Sequence, residues 1–341
     1  MTGRGLLSAL LCALISTSTW AQGPHLNTAP LLPTGFDTYT IAEDSYEYTY
    51  GVGQTASGTD QALTLRVFLP DGVPASTPLP AIIFVNTGSF SVTDSDDTEI
   101  NRERMEHYTA LGAIAVLVKT QIQQDNPRAS GGAARGATTA FGLSVDAIIE
   151  NTPLALQYVR SNPDRANWTV EPNWVFFGGG SSSGIATMGA VIRHYPQDFY
   201  IPGMVNWITS FGADNALLGL DYVDEVRTEL GLTEDDYTDG MPPMLHFSMG
   251  YDDVLSETTV PTLQSLLNAR ITSKAGNDGK SVVQLWPNDP PAFAAGSNHV
   301  LMEQWDESTL TGATTVEEAT YLYVIDVLAD VPKLSGTLRL E

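Results

Sequence analysis

Cysteine is almost absent from this sequence. The 341 residues include one cysteine, and that residue, Cys12, lies in an apolar segment near the start of the chain. The rest of the protein therefore has no thiol for a disulfide framework, for a cysteine nucleophile or for metal ligation. Its chemistry must come from other side chains.

Basic residues are scarce as well. The sequence has 16 lysines and arginines against 40 aspartates and glutamates, and the formal net charge is −24. No basic stripe is available to neutralise phosphates, so we expect neither nucleic acid nor an anionic membrane surface as a partner. An acidic surface stays soluble when salt screens its repulsion. This composition fits a saline habitat or an ordinary acidic secreted protein.

Long apolar runs are missing. The apolar stretch Leu6–Ile15 is too short to span a membrane, and it follows a positive residue, Arg4. Thr19-Trp20-Ala21 offers a cleavage site. We predict a signal peptide over 1–21, then an irregular leader over 22–37, and a secreted or periplasmic protein without a stable membrane anchor. An uncleaved signal anchor is the alternative.

Strand and helix patterns alternate along the remaining chain. Short apolar runs predict strands over 38–50, 62–69, 81–85, 113–118, 174–177, 203–208, 244–249 and 281–286. Helices are predicted over 102–111, 145–160, from about 184 onward, and over 222–230, 260–272 and 315–328. Parallel strands need crossover helices, so the alternation predicts an α/β fold. We expect a mainly parallel sheet, covered by helices on both faces, in a single domain over 38–341.

One stretch, Trp174–Ala190, holds the clearest chemical signal. Its centre reads Gly180-Ser181-Ser182-Ser183-Gly184, the Gly-x-Ser-x-Gly pattern that can hold a serine at a sharp strand-to-helix turn. The pattern predicts Ser182 as a nucleophile, with the neighbouring serines as alternatives. A plain glycine–serine turn between two buried elements is the competing interpretation.

A serine hydroxyl is a weak nucleophile unless a base takes its proton and an acid orients that base. His299 is the candidate base, because it alone among the histidines follows the last predicted strand. The acid is Asp252 or Asp253, which follow the strand at 244–249, with Asp289 as a further alternative. Reactive groups in such sheets gather at the carboxyl ends of strands.

Three segments carry a resemblance to a known family. They are AIIFVNTGSF after position 80, GSSSG at 180–184 and PPMLHFSMGYDDVL from position 242. With the order Ser, Asp, His they resemble the α/β-hydrolase family, in particular its carboxylesterase- and lipase-like serine hydrolases. The resemblance implies the α/β-hydrolase fold with a small lid, which we assign to 209–242, and a triad of Ser182, Asp252 and His299.

The resemblance also implies an oxyanion hole. Its donors would be the backbone N–H groups of Ser183, Gly88 and Ser89. This sequence departs from the family pattern at Asn86, where a histidine is usual, and at Thr87 and Ser89, which replace glycines. The loop after the strand at 81–85 is therefore expected to take a different path or to add a hydroxyl donor.

The implied activity is hydrolysis of carboxylic esters. The substrate would be a small-molecule or polymeric ester, and the apolar residues of 209–242 favour an acyl or aromatic group. A peptidase or amidase on the same scaffold is one alternative, and a non-catalytic binding protein is another. No cofactor or metal is expected, although the acidic loop 94–99 could hold Ca²⁺ rather than being merely solvated. No pattern in the sequence bears on the oligomeric state.

Overall fold

A single mixed sheet organises the part of the chain that the structure describes. The computed structural model describes residues 42, 45–55, 57–85, 99–119, 121, 127–128, 140–194, 201–207, 242–249, 282–286 and 316–329. The strands are β1 (Tyr46–Thr55), β2 (Asp60–Phe68), β3 (Pro78–Val85), β4 (Ile114–Val118), β5 (Pro127–Arg128), β6 (Thr169–Gly180), β7 (Met204–Trp207), β8 (Met244–Met249) and β9 (Val282–Trp286). The helices are α1 (Glu99–Ala110), α2 (Ala140–Ser161), α3 (Ser181–His194) and α4 (Val316–Ala329).

The order of the strands across the sheet is β5-β1-β2-β4-β3-β6-β7-β8-β9. From β4 to β9 each neighbouring pair is parallel. The pairs β2–β4, β1–β2 and β1–β5 are antiparallel. The long parallel region agrees with the predicted α/β alternation, and an antiparallel end makes the sheet mixed.

The parallel region is buried on both faces. In β3 the side chains of Ala81, Ile83 and Val85 belong to one core, and those of Ile82 and Phe84 belong to another. This split follows from the alternation of side chains along a strand, and it explains why β3 reads as a continuous apolar run. Residues of α2 and α3 complete the first core, and residues of α1 and α4 complete the second.

The register brings several strand ends to one edge of the sheet. Val85 of β3 pairs with Val118 of β4 and with Gly179 of β6. Gly180 of β6 pairs with Trp207 of β7. That residue pairs with Phe247 of β8, and the last residues of β8 and β9, Met249 and Trp286, pair with each other. The carboxyl ends of β3, β6, β8 and β9 therefore lie along one edge.

Most predicted strands in the described ranges coincide with observed strands to within about two residues at each end, but two predictions were wrong. The strand predicted over 38–50 is observed over Tyr46–Thr55, so it runs through Gly51 and Gly53. A Cβ on Gly53 would lie 2.8 Å from Oε1 of Gln121, so the glycine lets the end of that side chain lie close against the strand. The short strand β5 was not predicted.

The second error concerns the glycine-rich segment. The sequence predicted a strand over 174–177, a turn, and a helix from about 184. The observed strand β6 includes all three glycines of 178–180, and α3 begins at Ser181. The predicted helices at 222–230 and 260–272, and the predicted lid except its last residue, lie outside the described residues. In the described ranges, no helix is long and apolar enough to cross a membrane.

Candidate active site

The strand-to-helix junction is immediate. Gly180 is the last residue of β6 and Ser181 is the first residue of α3. Ser182 is therefore the second residue of the helix, at the carboxyl edge of the sheet. The strand before it is held from both sides, because Gly179 pairs with Val85 of β3 and Gly180 pairs with Trp207 of β7. This is the backbone arrangement that the Gly-x-Ser-x-Gly pattern requires.

The junction is also tight. A Cβ added to Gly179 would lie 2.8 Å from the backbone oxygen of Ser183 and 3.0 Å from the backbone nitrogen of Gly184. Carbon atoms do not approach backbone atoms so closely, so any side chain at this position would force strand and helix apart. The absence of a side chain at Gly179 lets the first turn of α3 lie directly against the end of β6.

The hydroxyl of Ser183 fastens this turn. Its Oγ donates a hydrogen bond to the carbonyl oxygen of Gly180 at 2.7 Å, and it accepts one from the N–H of Gly180 at 3.0 Å. The residue is fully buried. A hydroxyl that is buried and bonded twice to the backbone is not available to attack a substrate. Ser183 is therefore set aside as a nucleophile, and Ser182 and Ser181 remain.

The backbone at the start of α3 can bind an anion. The first N–H groups of a helix have no carbonyl partner within the helix, and the helix dipole places partial positive charge at this end. Ser183 is the third residue of α3, so its N–H belongs to this set. An oxygen that gains negative charge beside Ser182 would find donors there.

The other predicted site residues lie outside the described residues. These are Gly88, Ser89, Asp252, Asp253 and His299, together with the alternative acid Asp289 and nearly all of the acidic loop 94–99. The elements that lead to them are described: β3 ends three residues before Gly88, β8 ends three residues before Asp252, and β9 is the strand that precedes His299. All three strands end at the same edge of the sheet as β6.

Sequence reasoning missed two contributions to this site. The glycines of 178–180 were assigned to a turn, whereas Gly179 acts inside the strand by leaving space for the helix. The Ser183 side chain was considered only as an alternative nucleophile, although it occupies the helix position from which a polar side chain reaches back to the first backbone N–H in a capping box. That spacing is the signal that could have found it. Among the described residues, no cluster of histidine, cysteine and carboxylate side chains could hold a metal ion.

Comparison by sequence finds no relative: no protein-family model matches the chain, and no curated protein matches it significantly. Comparison by structure finds similar proteins. A thermophilic esterase from the planctomycete Thermogutta terrifontis has a TM-score of 0.50 at 16% identity, over 86% of this chain and 96% of that chain. Brefeldin A esterase, described as a bacterial homologue of human hormone-sensitive lipase, has a TM-score of 0.50 at 16% identity, over 96% of this chain and 86% of that chain.

A prolyl endopeptidase is also similar in structure, with a TM-score of 0.51 at 12% identity. The match covers 84% of this chain and 39% of that one. Identities this low show the fold and leave the activity to be argued from the site. The chain has the α/β-hydrolase fold, which confirms the predicted resemblance at the level of the fold.

Proposed function

We propose that the protein is a secreted serine hydrolase that cleaves carboxylic esters. The observation that carries the proposal is the immediate junction between β6 and α3, with Ser182 in the first turn of the helix at the carboxyl edge of the sheet. In sheets of this kind the reacting groups gather at that edge. The predicted signal peptide over 1–21 is the basis for secretion.

In the proposed reaction, Oγ of Ser182 attacks the ester carbonyl carbon while His299 accepts the hydroxyl proton. The histidine then gives that proton to the departing alcohol, and an acyl-enzyme remains. Water hydrolyses the acyl-enzyme by the same two steps. Asp252 would orient the histidine, with Asp253 as the alternative. Support comes from the strands: β6, β8 and β9 end at one edge and are neighbours or near neighbours in the sheet.

The oxyanion would be held by the backbone N–H groups of Ser183, Gly88 and Ser89. The start of α3 provides the first donor. The segment with the other two leaves β3 at Val85, which pairs with Gly179 beside the junction. Removing one such donor typically costs about 3 kcal/mol of transition-state stabilisation, so a change that displaces any of the three groups should slow the reaction.

The proposal is tested by labelling the purified protein with a fluorophosphonate and mapping the modified peptide. We expect the label on Ser182. The variant Ser182→Ala should lose the label and should lower kcat for a nitrophenyl ester by roughly 10⁶-fold. The matched control is Ser181→Ala, which should keep both the label on Ser182 and the hydrolysis of the nitrophenyl ester. A label on Ser181, or ester hydrolysis that survives in Ser182→Ala, would contradict the assignment.

A second candidate activity is hydrolysis of peptides or amides, and the structural similarity to a prolyl endopeptidase favours considering it. The triad chemistry is the same for both activities, so only assays with different substrates can distinguish them. Nitrophenyl esters of increasing acyl length, compared with peptide nitroanilides, separate the two activities. The ester proposal expects a clear chain-length preference, because the apolar residues of the proposed lid at 209–242 would form an acyl pocket.

A further inference from the structure

The first turn of α3 contains a closed ring that includes the proposed nucleophile. Oγ of Ser183 is bonded to both backbone polar groups of Gly180, at 2.7 Å and 3.0 Å. Ser181 and Ser182 are the two residues between the bonded partners. The ring therefore fixes the backbone on either side of Ser182, and it does so inside the protein, because Ser183 is fully buried.

Gly180 is the residue that most needs such a restraint. A glycine populates many backbone conformations, since it has no Cβ to exclude them. Here it must end a strand and begin a helix at once. The strand pairing with Trp207 holds it on one side, and the Ser183 hydroxyl holds it on the other. Without the hydroxyl, the N–H and the C=O of Gly180 would each lose a buried partner.

The orientation of the Ser183 N–H depends on the same ring. This N–H belongs to the residue whose side chain is bonded to Gly180, and it is the proposed oxyanion donor of α3. A shift of the turn would move the attacking oxygen and the oxyanion donor together. Misplacement of reacting groups by about 1 Å can cost roughly 100-fold in rate.

We infer that Ser183 is a positioning residue for the reaction: its hydroxyl holds the Gly180–Ser183 turn in the conformation that fixes the backbone of Ser182 and the orientation of the Ser183 N–H. This inference rests on the proposed function. It concerns the side chain of Ser183, whereas the oxyanion role concerns the backbone of the same residue. Removing the hydroxyl keeps the backbone donor and takes away only its restraint.

The chain offers a matched control one turn along the helix. Oγ1 of Thr187 donates to the carbonyl oxygen of Gly184 at 2.9 Å, and this residue is also fully buried. The bond has the same spacing along the helix as the one from Ser183 to Gly180. It lies beyond the junction, so Thr187→Val removes a comparable hydroxyl without touching the turn that holds Ser182.

The experiment compares wild type, Ser183→Ala and Thr187→Val in steady-state hydrolysis of a nitrophenyl ester and in the rate of fluorophosphonate labelling. Assays are run where all three proteins are folded by circular dichroism. We expect Ser183→Ala to lower kcat and the labelling rate by roughly 10- to 100-fold with KM little changed. Thr187→Val should stay within about twofold of wild type in each quantity, since it alters no group near the reacting atoms.

The outcomes separate the two proposals. If wild type hydrolyses the ester and is labelled on Ser182 while Ser183→Ala keeps the wild-type kcat, the positioning role is overturned and the proposed function stands. Equal losses of kcat in Ser183→Ala and Thr187→Val would also overturn it, because the effect would then belong to the helix as a whole. If wild type neither hydrolyses esters nor is labelled, the proposed function fails, and the positioning role fails with it.

Discussion

At the scale of the residue, the junction depends on the absence of one side chain. Gly179 lies within the strand, with no unusual backbone conformation to explain it, yet the first turn of α3 leaves no room for a Cβ. The neighbours that a Cβ would meet are backbone atoms of Ser183 and Gly184, which cannot rotate away as a side chain can. The contact links a residue of the sheet directly to the proposed oxyanion donor.

We therefore predict that Gly179→Ala lowers the free energy of unfolding by about 1–3 kcal/mol, because the helix must shift to relieve overpacking. It should also slow fluorophosphonate labelling of Ser182 more than the loss of stability alone explains. Denaturant unfolding and the labelling rate of the folded protein measure the two effects.

The control is Gly51→Ala in β1, where a Cβ would lie at ordinary contact distances, 3.4 Å from Cδ1 of Leu154 and 3.5 Å from Cδ1 of Leu63. Alanine loses less backbone entropy on folding than glycine does, so this variant should be as stable as wild type or up to about 1 kcal/mol more stable. Equal behaviour of the two variants would show that the close approach at Gly179 has no consequence.

At the scale of the elements, a polar cluster ties the antiparallel end of the sheet to the connection between α2 and β6. The hydroxyl of Tyr48 in β1 donates to Oδ2 of Asp164 at 2.7 Å and accepts a bond from Nε1–H of Trp168 at 3.0 Å. The side-chain amide of Asn167 donates to the same carboxylate oxygen at 2.7 Å. The cluster fastens β1 to the segment that leads into the strand before Ser182.

These bonds alter the titration of the carboxyl group. The hydrogen bond from Tyr48, and then the one from Asn167, stabilise the carboxylate and lower the pKa of Asp164 below its ordinary value of 3.8. Burial raises the pKa of Tyr48 well above its usual range, so its hydroxyl stays a donor. A carboxyl group with a lowered pKa in the folded state stabilises the protein above its unfolded-state pKa. That contribution is lost as the pH falls through the folded-state pKa.

We predict that Tyr48→Phe moves the pKa of Asp164 back towards its ordinary value and weakens the acid dependence of stability. The difference in unfolding free energy between wild type and Tyr48→Phe should be greatest near neutral pH and should shrink below about pH 4. Urea unfolding at a series of pH values measures it. The control is Tyr46→Phe. Tyr46 lies two residues before Tyr48 in β1, and its ring is stacked on that of Tyr48. A pH-independent difference for Tyr48→Phe would contradict the linkage.

The sequence predicted the elements of the parallel region well. A strand that is buried on both faces needs apolar residues at consecutive positions, and such a run is easily recognised in the sequence. Ala81–Val85 lies within β3, and the run at 113–118 matches β4 apart from its first residue. The prediction was wrong where the deciding contact is remote in sequence. Gly53 meets Gln121 from another part of the chain, and no local pattern records that approach.

In the candidate site, too, the features with a local sequence pattern were predicted and those that depend on the three-dimensional arrangement were not. The pattern at 180–184 was enough to select a strand-to-helix junction and a candidate serine. It could not show that the glycines belong to the strand, because glycine favours turns in any local scale. The role of the Ser183 hydroxyl depends on the helix starting at Ser181 rather than at 184, a difference of three residues that only the three-dimensional arrangement decides.

At the scale of the whole molecule, charge of one sign dominates. The net charge is −24 and the isoelectric point is about 4.3. Two ion pairs of the described residues are solvent-accessible: Arg66 and Glu47 lie 3.5 Å apart, and Arg102 and Glu106 lie 3.0 Å apart. Accessible pairs of this kind contribute at most about 1 kcal/mol each. Repulsion among the acidic groups must therefore lower the stability of the folded state, because folding brings these groups closer together than they are in the unfolded chain.

We predict that salt stabilises the protein at neutral pH. The distance over which charges repel falls from about 10 Å at 0.1 M salt to about 3 Å at 1 M, so NaCl removes repulsion while the accessible ion pairs have little to lose. The melting temperature measured by calorimetry should rise between 0.05 M and 1 M NaCl, by about 2–4 °C for each kcal/mol of repulsion relieved.

The control is the same pair of measurements near pH 4.3, where the net charge is close to zero and the rise should largely disappear. An equal rise at both pH values would assign the effect to the general action of salt on apolar burial rather than to charge.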